Sequence, residues 1–174
     1  MSKTEKNLQE AFAGESMARN KYSFFAAAAR KEGFHYIARI FEETADNERR
    51  HAKDHFQRLN GIGDTIANLK SAIEGEDYET TEMYPQFARE ADAEGNKDAA
   101  NLFRQIAKVE AGHRDRYQKL LEMVEKGMVW KREKPIKWKC AVCGYTVDGT
   151  EPPAKCPCCG HPREHYEPTN LEIL

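Results

Sequence analysis

Residues 25–51 (FAAAARKEGFHYIARIFEETADNERRH) align without gaps on residues 87–113 (FAREADAEGNKDAANLFRQIAKVEAGH), 62 positions further along the chain. Ten positions are identical, among them Glu32/Glu94, Gly33/Gly95, Ala38/Ala100, Phe41/Phe103, Glu48/Glu110 and His51/His113. Upstream of the block, Tyr22 falls on Tyr84. Each copy reads as two helices around a glycine, and each ends in the same Glu-x-x-His. A duplicated hairpin that carries a duplicated Glu-x-x-His is what a two-fold helical bundle around two metal ions requires.

Working outward, residues 4–32 lack proline and are rich in Ala, Glu, Lys, Arg and Phe, which predicts a long first helix. Ser2 with Glu5 three residues on fits a capping box, and Gly33 fits a left-handed stop. A second helix is predicted over 35–60 with Gly61 as its stop. Residues 61–75 hold three glycines around TIANLKSAI and read as a crossover with one short helix. A third helix is predicted over 76–94, kinked or split at Pro85, and a fourth over 97–126, stopped by Gly127. Two tight hairpins joined by one long connection define an all-α, ferritin-like four-helix bundle. The expected division is a bundle over 1–130, a linker over 131–137 and a small domain over 138–174. The basic stretch around the linker (Lys131, Arg132, Lys134, Lys137, Lys139) reads either as a solvated tether or as an electrostatic docking surface.

The chain has 174 residues, 40% of them hydrophobic and 32% charged, which suits one full core plus a small appendage. No apolar run approaches the ~18 residues of a membrane span, and the start MSKTEKNLQE lacks a secretory apolar core. A net charge of −2 does not favour nucleic acid. The expected location is the cytoplasm, with neither membrane nor nucleic acid as a partner.

Glu48/His51 and Glu110/His113 stand at i, i+3 on one helical face, so a single ion can take both side chains. The motif is weak alone, because the chain holds 21 glutamates. Glu32-x-x-His35 is a decoy: it straddles Gly33, and the position 62 residues after His35 is Lys97. The first helix offers Glu15 beside an apolar stripe of Ala11, Phe12 and Ala18. An unpaired buried carboxylate there would cost several kcal/mol. The third helix offers Glu76 and Glu79 on one face, with Glu82 a turn further on. Tyr22 and Tyr84 also face inward. They read either as core tyrosines or as hydrogen-bond donors to the metal carboxylates.

All five cysteines lie within 140–159. Cys140-x-x-Cys143-Gly144 and Cys156-x-x-Cys159-Gly160 are two knuckles at metal-binding spacing. So small a domain needs a metal to fold, with Trp138, Tyr145 and Tyr166 as its aromatic core. Iron and zinc both accept four thiolates, so spacing leaves the metal open. Cys158 lies inside the second knuckle with the wrong spacing for a partner and reads as an exposed non-ligand.

The segments AFAGESMARNKY (11–22), ETADNERRHAKDHF (43–56), EGEDYETTEMYPQFA (74–88) and VEAGHRDRY (109–117), followed by the four cysteines, resemble the rubrerythrin family over essentially the whole chain. CAVCGY (140–145) and CPCCGHP (156–162) resemble rubredoxin, which favours one iron on Cys140, Cys143, Cys156 and Cys159. The resemblance implies a ligand set of Glu15, Glu48, His51, Glu76, Glu79, Glu110 and His113 around an oxo- and carboxylate-bridged di-iron site. Glu48 and Glu110 would bridge, Glu15 and Glu76 would be terminal, and one iron would move between Glu79 and His51 with redox state. At the 62-residue offset Glu15 meets only Asp77, so the site is expected to break the symmetry of the repeat.

The activity so implied is a non-haem di-iron peroxidase that reduces hydrogen peroxide to water in oxidative-stress defence. The same seven ligands, with Tyr22 and Tyr84, would form its catalytic site. The thiolate-bound iron would pass on electrons from a donor protein, either a rubredoxin or a separate NAD(P)H-dependent reductase. The resemblance also implies a homodimer in which one chain's rubredoxin-like domain lies near the other's di-iron site. The rival reading is a ferritin-like ferroxidase, or iron-handling protein, with an accessory four-cysteine domain. A structural scaffold with zinc in the small domain is a third reading, and it leaves the seven inward-facing ligand-type residues unexplained.

Overall fold

The computed structural model describes residues 1–170 as two compact units, Met1–Gly63 and the chain from Asp64 onward. The first unit is a hairpin of α1 (Lys3–Lys31) and α2 (His35–Arg58). Ser2 and Glu5 cap α1 reciprocally, side chain to backbone in both directions, as the sequence predicts. Gly33 takes a φ of 86°, and Phe34 N–H donates to Ala29 O at 2.8 Å, which satisfies the last carbonyls of α1. At the far end of α2 the left-handed residue is Asn60 (φ 56°), one position before the predicted stop. Gly61 is needed for space: a Cβ there would lie 2.1 Å from the Phe56 ring.

The second unit opens differently from expectation. Residues 65–75 form no separate crossover helix. The Asp64 side chain accepts from Ala67 N–H at 2.8 Å and starts α3 (Thr65–Tyr78). A π-helical turn (Glu79–Met83) follows, and α4 (Tyr84–Ala93) continues the run. The predicted disturbance at Pro85 takes the form of this wider turn. It lies just before the ring, where a regular helix would set proline against the carbonyl four residues back. α5 (Lys97–Glu125), capped by Asn96, completes the second hairpin.

The π turn also corrects the expected asymmetry of Glu15. Before the turn the repeat runs at an offset of 61, not 62: LQEAFAGE (8–15) matches LKSAIEGE (69–76), with Leu8/Leu69, Ala11/Ala72, Gly14/Gly75 and Glu15/Glu76 identical. After the turn, Tyr22/Tyr84 returns to 62. One extra residue in the wide turn absorbs the slip, so Glu76 and not Asp77 is the mate of Glu15.

Both hairpins close on the same parts. The fully buried helix residues are alanines: Ala26, Ala29, Ala38, Ala45 and Ala52 in the first, and Ala88, Ala91 and Ala100 in the second. Small side chains let the paired helices approach closely, and aromatics fill the margin. Tyr22, Phe25 and Phe41 have centroids 5.7–6.3 Å apart. Tyr84, Phe87 and Phe103 repeat the arrangement at 5.6–6.4 Å. An ion pair braces each turn with its polarity reversed between copies, Arg30 with Glu42 in one and Asp92 with Arg104 in the other.

The small domain is a three-stranded antiparallel sheet in the order β2 (Thr146–Gly149), β1 (Ile136–Cys140), β3 (Tyr166–Pro168). Trp138, Cys140, Cys156 and Tyr166 form its buried core, joined by Trp130, Ile136, Val147 and Cys159. Tyr145, predicted as core, is 37% exposed, because its place after Gly144 turns it outward. The expected linker is partly fixed to this domain. Arg132 lies 5.3 Å over the Trp138 ring, its N–H donates to Thr150 O at 2.8 Å, and Ile136 already belongs to β1. Among the described residues no helix is long and apolar enough to cross a membrane.

Candidate metal centres

In the first hairpin, α1 brings Glu15 and α2 brings Glu48 and His51 to one point. His51 Nδ1 is 2.9 Å from Glu48 Oε2 and 3.8 Å from Glu15 Oε1. In the second, His113 Nδ1 is 2.6 Å from Glu110 Oε2 and 3.7 Å from Glu76 Oε2. Each trio offers three ligand-type atoms within 4.8 Å of one another. The two clusters are copies of each other to within a few tenths of an ångström.

Electrostatics favour a cation at both points. The Glu15 carboxyl is held above its ordinary range by a hydrogen bond to Glu48, by burial and by repulsion from Glu48. Glu76 is raised by burial first, then by the Glu110 charge. The nearby guanidinium of Arg114 turns to Asp77 at 3.0 Å and to Asp115 at 3.1 Å, so it does not neutralise these carboxylates. Carboxylate and imidazole donors without a resident counter-charge fit a divalent iron ion. Glu79 stands outside the second trio, yet its charge raises both Glu76 and Tyr84. The Tyr84 hydroxyl is raised by burial and by the charges of Glu79, Glu110 and Glu76. The decoy behaves as predicted: Glu32 caps α1, His35 starts α2, and neither joins a cluster among the described residues.

A pH dependence follows. In the metal-free chain a raised carboxyl stabilises the fold below the ordinary carboxylate value, and that contribution is lost as pH rises through the raised value. A cation needs the same groups deprotonated. With the four-cysteine site already filled, the rise in Tm on adding Fe(II) anaerobically is therefore expected to be larger at pH 7 than at pH 5. Calorimetry at the two pH values checks this, and equal rises would show that the protons leave from elsewhere.

The four cysteines also fit a metal. Cys140 Sγ lies 3.8 Å from Cys159 Sγ, and Cys143 Sγ lies 3.6 Å from Cys156 Sγ. The edge of a tetrahedron with ~2.3 Å metal–sulfur bonds is close to this spacing. The knuckles are mirrored: Gly144 and Gly160 take φ of 78° and 75°, and each N–H donates at 2.8 Å to the carbonyl of its first cysteine. Burial opposes the Cys156 thiolate, but the Tyr166 hydroxyl and the N–H groups of Cys159 and Cys158 outweigh it and bring the thiol down to about 6. The Tyr145 N–H favours the Cys143 thiolate, yet burial and the neighbouring thiols push that group well up. The Tyr166 hydroxyl is buried with Cys156 as its nearest acceptor, so ionisation of that thiol strengthens the contact. Four sulfurs brought within 4.8 Å of one another, two of them raised by their neighbours, fit a cation that holds them together. Cys158 is exposed and outside the cluster.

Two carboxylate–histidine clusters on ferritin-like hairpins, in one chain with a four-thiolate centre, define the di-iron carboxylate class with an attached rubredoxin-like domain. The family model described as Rubrerythrin matches residues 6–121, and the one described as Rubrerythrin, rubredoxin-like domain, matches 138–167. The chain belongs to the rubrerythrin family, whose cofactors are a di-iron site and a mononuclear iron. It is 48% identical to the rubrerythrin of Porphyromonas gingivalis over 96% of this chain and 90% of the relative. It is 46% identical to the rubrerythrin of Nitratidesulfovibrio vulgaris over 95% and 94%. A solved structure of partially reduced nigerythrin aligns at 33% identity and a TM-score of 0.38, covering 97% of this chain and 87% of that one.

Proposed function

We propose that this oxidoreductase is a hydrogen-peroxide reductase in oxidative-stress defence, acting in the cytoplasm. The observation that carries the proposal is the presence in one chain of a four-thiolate electron site and two matched Glu–Glu–His clusters. Glu48, Glu110, Glu15, Glu76, His51 and His113 would hold an iron pair, Glu48 and Glu110 as the shared carboxylates, Glu15 and Glu76 as the outer ones, and Glu79 as an alternative ligand to His51. When bound and reduced, such a pair would supply the two electrons that, with two protons, convert hydrogen peroxide to two waters. Tyr22 and Tyr84 direct hydroxyls at the carboxylates and keep them in place. Cys140, Cys143, Cys156 and Cys159 would hold a one-electron iron, with a rubredoxin or an NAD(P)H-dependent reductase as its electron donor and no part for Cys158. The working domains are 1–130 and 138–174 joined by 131–137, whose last two residues already pair in β1, and the working form is a homodimer.

An electron-carrying centre has no use in iron storage, which favours peroxide reduction over the ferroxidase reading. The expected result is about three irons per chain, the count that one pair and one mononuclear site imply, with the reduced protein oxidised faster by peroxide than by dioxygen. Stopped-flow spectroscopy decides it. Faster consumption of dioxygen with growth of a mineral iron core would sink the peroxidase reading.

A further inference from the structure

The two cysteine knuckles repeat each other in backbone geometry. Cys140 N–H donates to Tyr145 O at 2.8 Å, and Cys156 N–H donates to His161 O at 2.8 Å. The second sulfur of each knuckle meets the N–H of the residue two further on, Tyr145 for Cys143 and His161 for Cys159. Cys156 carries a further donor from a different element. Besides the N–H groups of Cys158 and Cys159, its sulfur meets a side chain, the hydroxyl of Tyr166.

Tyr166 opens β3 and pairs in register with Cys140 on β1, so the sheet itself sets the ring against the sulfurs. The residue is only 4% exposed and shares its core with Trp138, Cys140 and Cys156. Its hydroxyl oxygen is enclosed, and among the described residues no oxygen or nitrogen accepts from it. Cys156 is its nearest acceptor. An aromatic ring alone would fill this core, and burying a hydroxyl is costly unless it finds a partner. Packing therefore does not call for the phenol oxygen, whereas a thiolate at Cys156 does.

Reduction of an iron held by four thiolates adds one electron, and with it one negative charge, to sulfurs in a buried core. A hydrogen bond to sulfur strengthens as that sulfur becomes more negative, so a donor favours the reduced state. The phenol keeps its proton at neutral pH, and the electron enters without a coupled proton. We propose that Tyr166 acts through Cys156 as a positioning residue for electron transfer: its hydroxyl, donating to Cys156 Sγ, raises the reduction potential of the four-cysteine iron above what the backbone N–H groups alone would set. The inference needs the mononuclear iron and not the peroxide chemistry, so a protein inert to peroxide would leave it standing.

The test compares full-length Tyr166→Phe with the wild type by spectroelectrochemistry, followed at the visible absorption of the thiolate-bound iron. At equal poise the ratio of reduced to oxidised centre should fall about tenfold in the variant, a drop of about 59 mV for a one-electron couple. The drop should be the same at pH 6 and pH 8, because no proton moves with the electron. Resonance Raman spectra should agree: the shift of the iron–sulfur stretch between H2O and D2O should be smaller in Tyr166→Phe. A ring-fluorinated tyrosine in place of Tyr166, a more acidic phenol and a stronger donor of nearly the same size, should move the potential upward. Equal potentials in wild type and Tyr166→Phe would overturn the proposal, as would a fluorinated variant whose potential falls. So would loss of the iron in Tyr166→Phe, because the hydroxyl would then hold the fold of the domain rather than tune its centre.

Discussion

Cys140→Ala is expected to abolish reductase-driven peroxide turnover while single-turnover oxidation of the reduced protein by peroxide proceeds at the wild-type rate. Cys140 is fully buried at the end of β1, and its sulfur is one corner of the four-thiolate cluster. Its loss leaves three thiolates beside a new cavity in a core built from Trp138, Cys156 and Tyr166. A domain of this size holds its fold through the metal, so the whole electron entry point goes with the ligand and turnover falls by at least about 100-fold. The hairpin clusters share no residue with this core and keep their own chemistry. Steady-state assays with reductase, set beside stopped-flow traces of chemically reduced protein, separate the two effects. Unchanged turnover would mean that electrons enter elsewhere. Cys158→Ser is the control, expected to change neither rate because that thiol is exposed and unshared.

Glu110→Ala is expected to remove the iron pair altogether, dropping bound iron from about three per chain to about one. Glu110 sits 2.6 Å from His113 Nδ1 and acts on Glu76 through charge and a hydrogen bond, so one side chain organises its cluster. Alanine takes away the carboxylate that touches both His113 and Glu76, and the two donors left in the trio are too few to fix an ion. Peroxide oxidation should fall by about 1,000-fold or more, beyond the 10–100-fold typical of losing a supporting group. Metal analysis and the visible spectrum check this directly, since the rubredoxin-like centre should keep its own absorption. Retention of three irons would remove Glu110 from the ligand set. His35→Ala, in the decoy motif, should change nothing.

Much of this site is legible in the sequence because helices convert spacing into geometry. Glu48/His51 and Glu110/His113 had to share a face at i, i+3, and the structure brings both pairs together. The cysteine knuckles are legible for a similar reason, since each closes a tight turn whose glycine is fixed by a positive φ. Glu79 is different: its i, i+3 spacing from Glu76 offers it as a candidate, but among the described residues it joins no compact cluster, and the family resemblance alone gives it a role. The start of the third helix was misread because glycines at 61, 63 and 75 look like breakers, whereas Asp64 supplies a cap and Gly75 is tolerated inside α3. The mate of Glu15 was missed because a gap-free comparison cannot follow a one-residue slip. The signal was present in AFAGE against AIEGE, and a second alignment at offset 61 would have found it. The outward turn of Tyr145 was not legible, because composition says which aromatics a small core can use and not which ones the backbone aims inward.

The wide turn at Glu79–Met83 can be read as a historical record. A single extra codon in a helix ordinarily rotates everything downstream by ~100° and would have carried Tyr84 and its aromatic neighbours off the inner face. Looping the surplus residue into one broad turn confines the damage to five positions, and the flanking segments keep the facing of the undisturbed first copy. A doubled gene could therefore lengthen one half without unlearning the ancestral ligands. Glu79 is the carboxylate that lies within that turn, and its counterparts in the first copy, Met17 and Ala18, carry none.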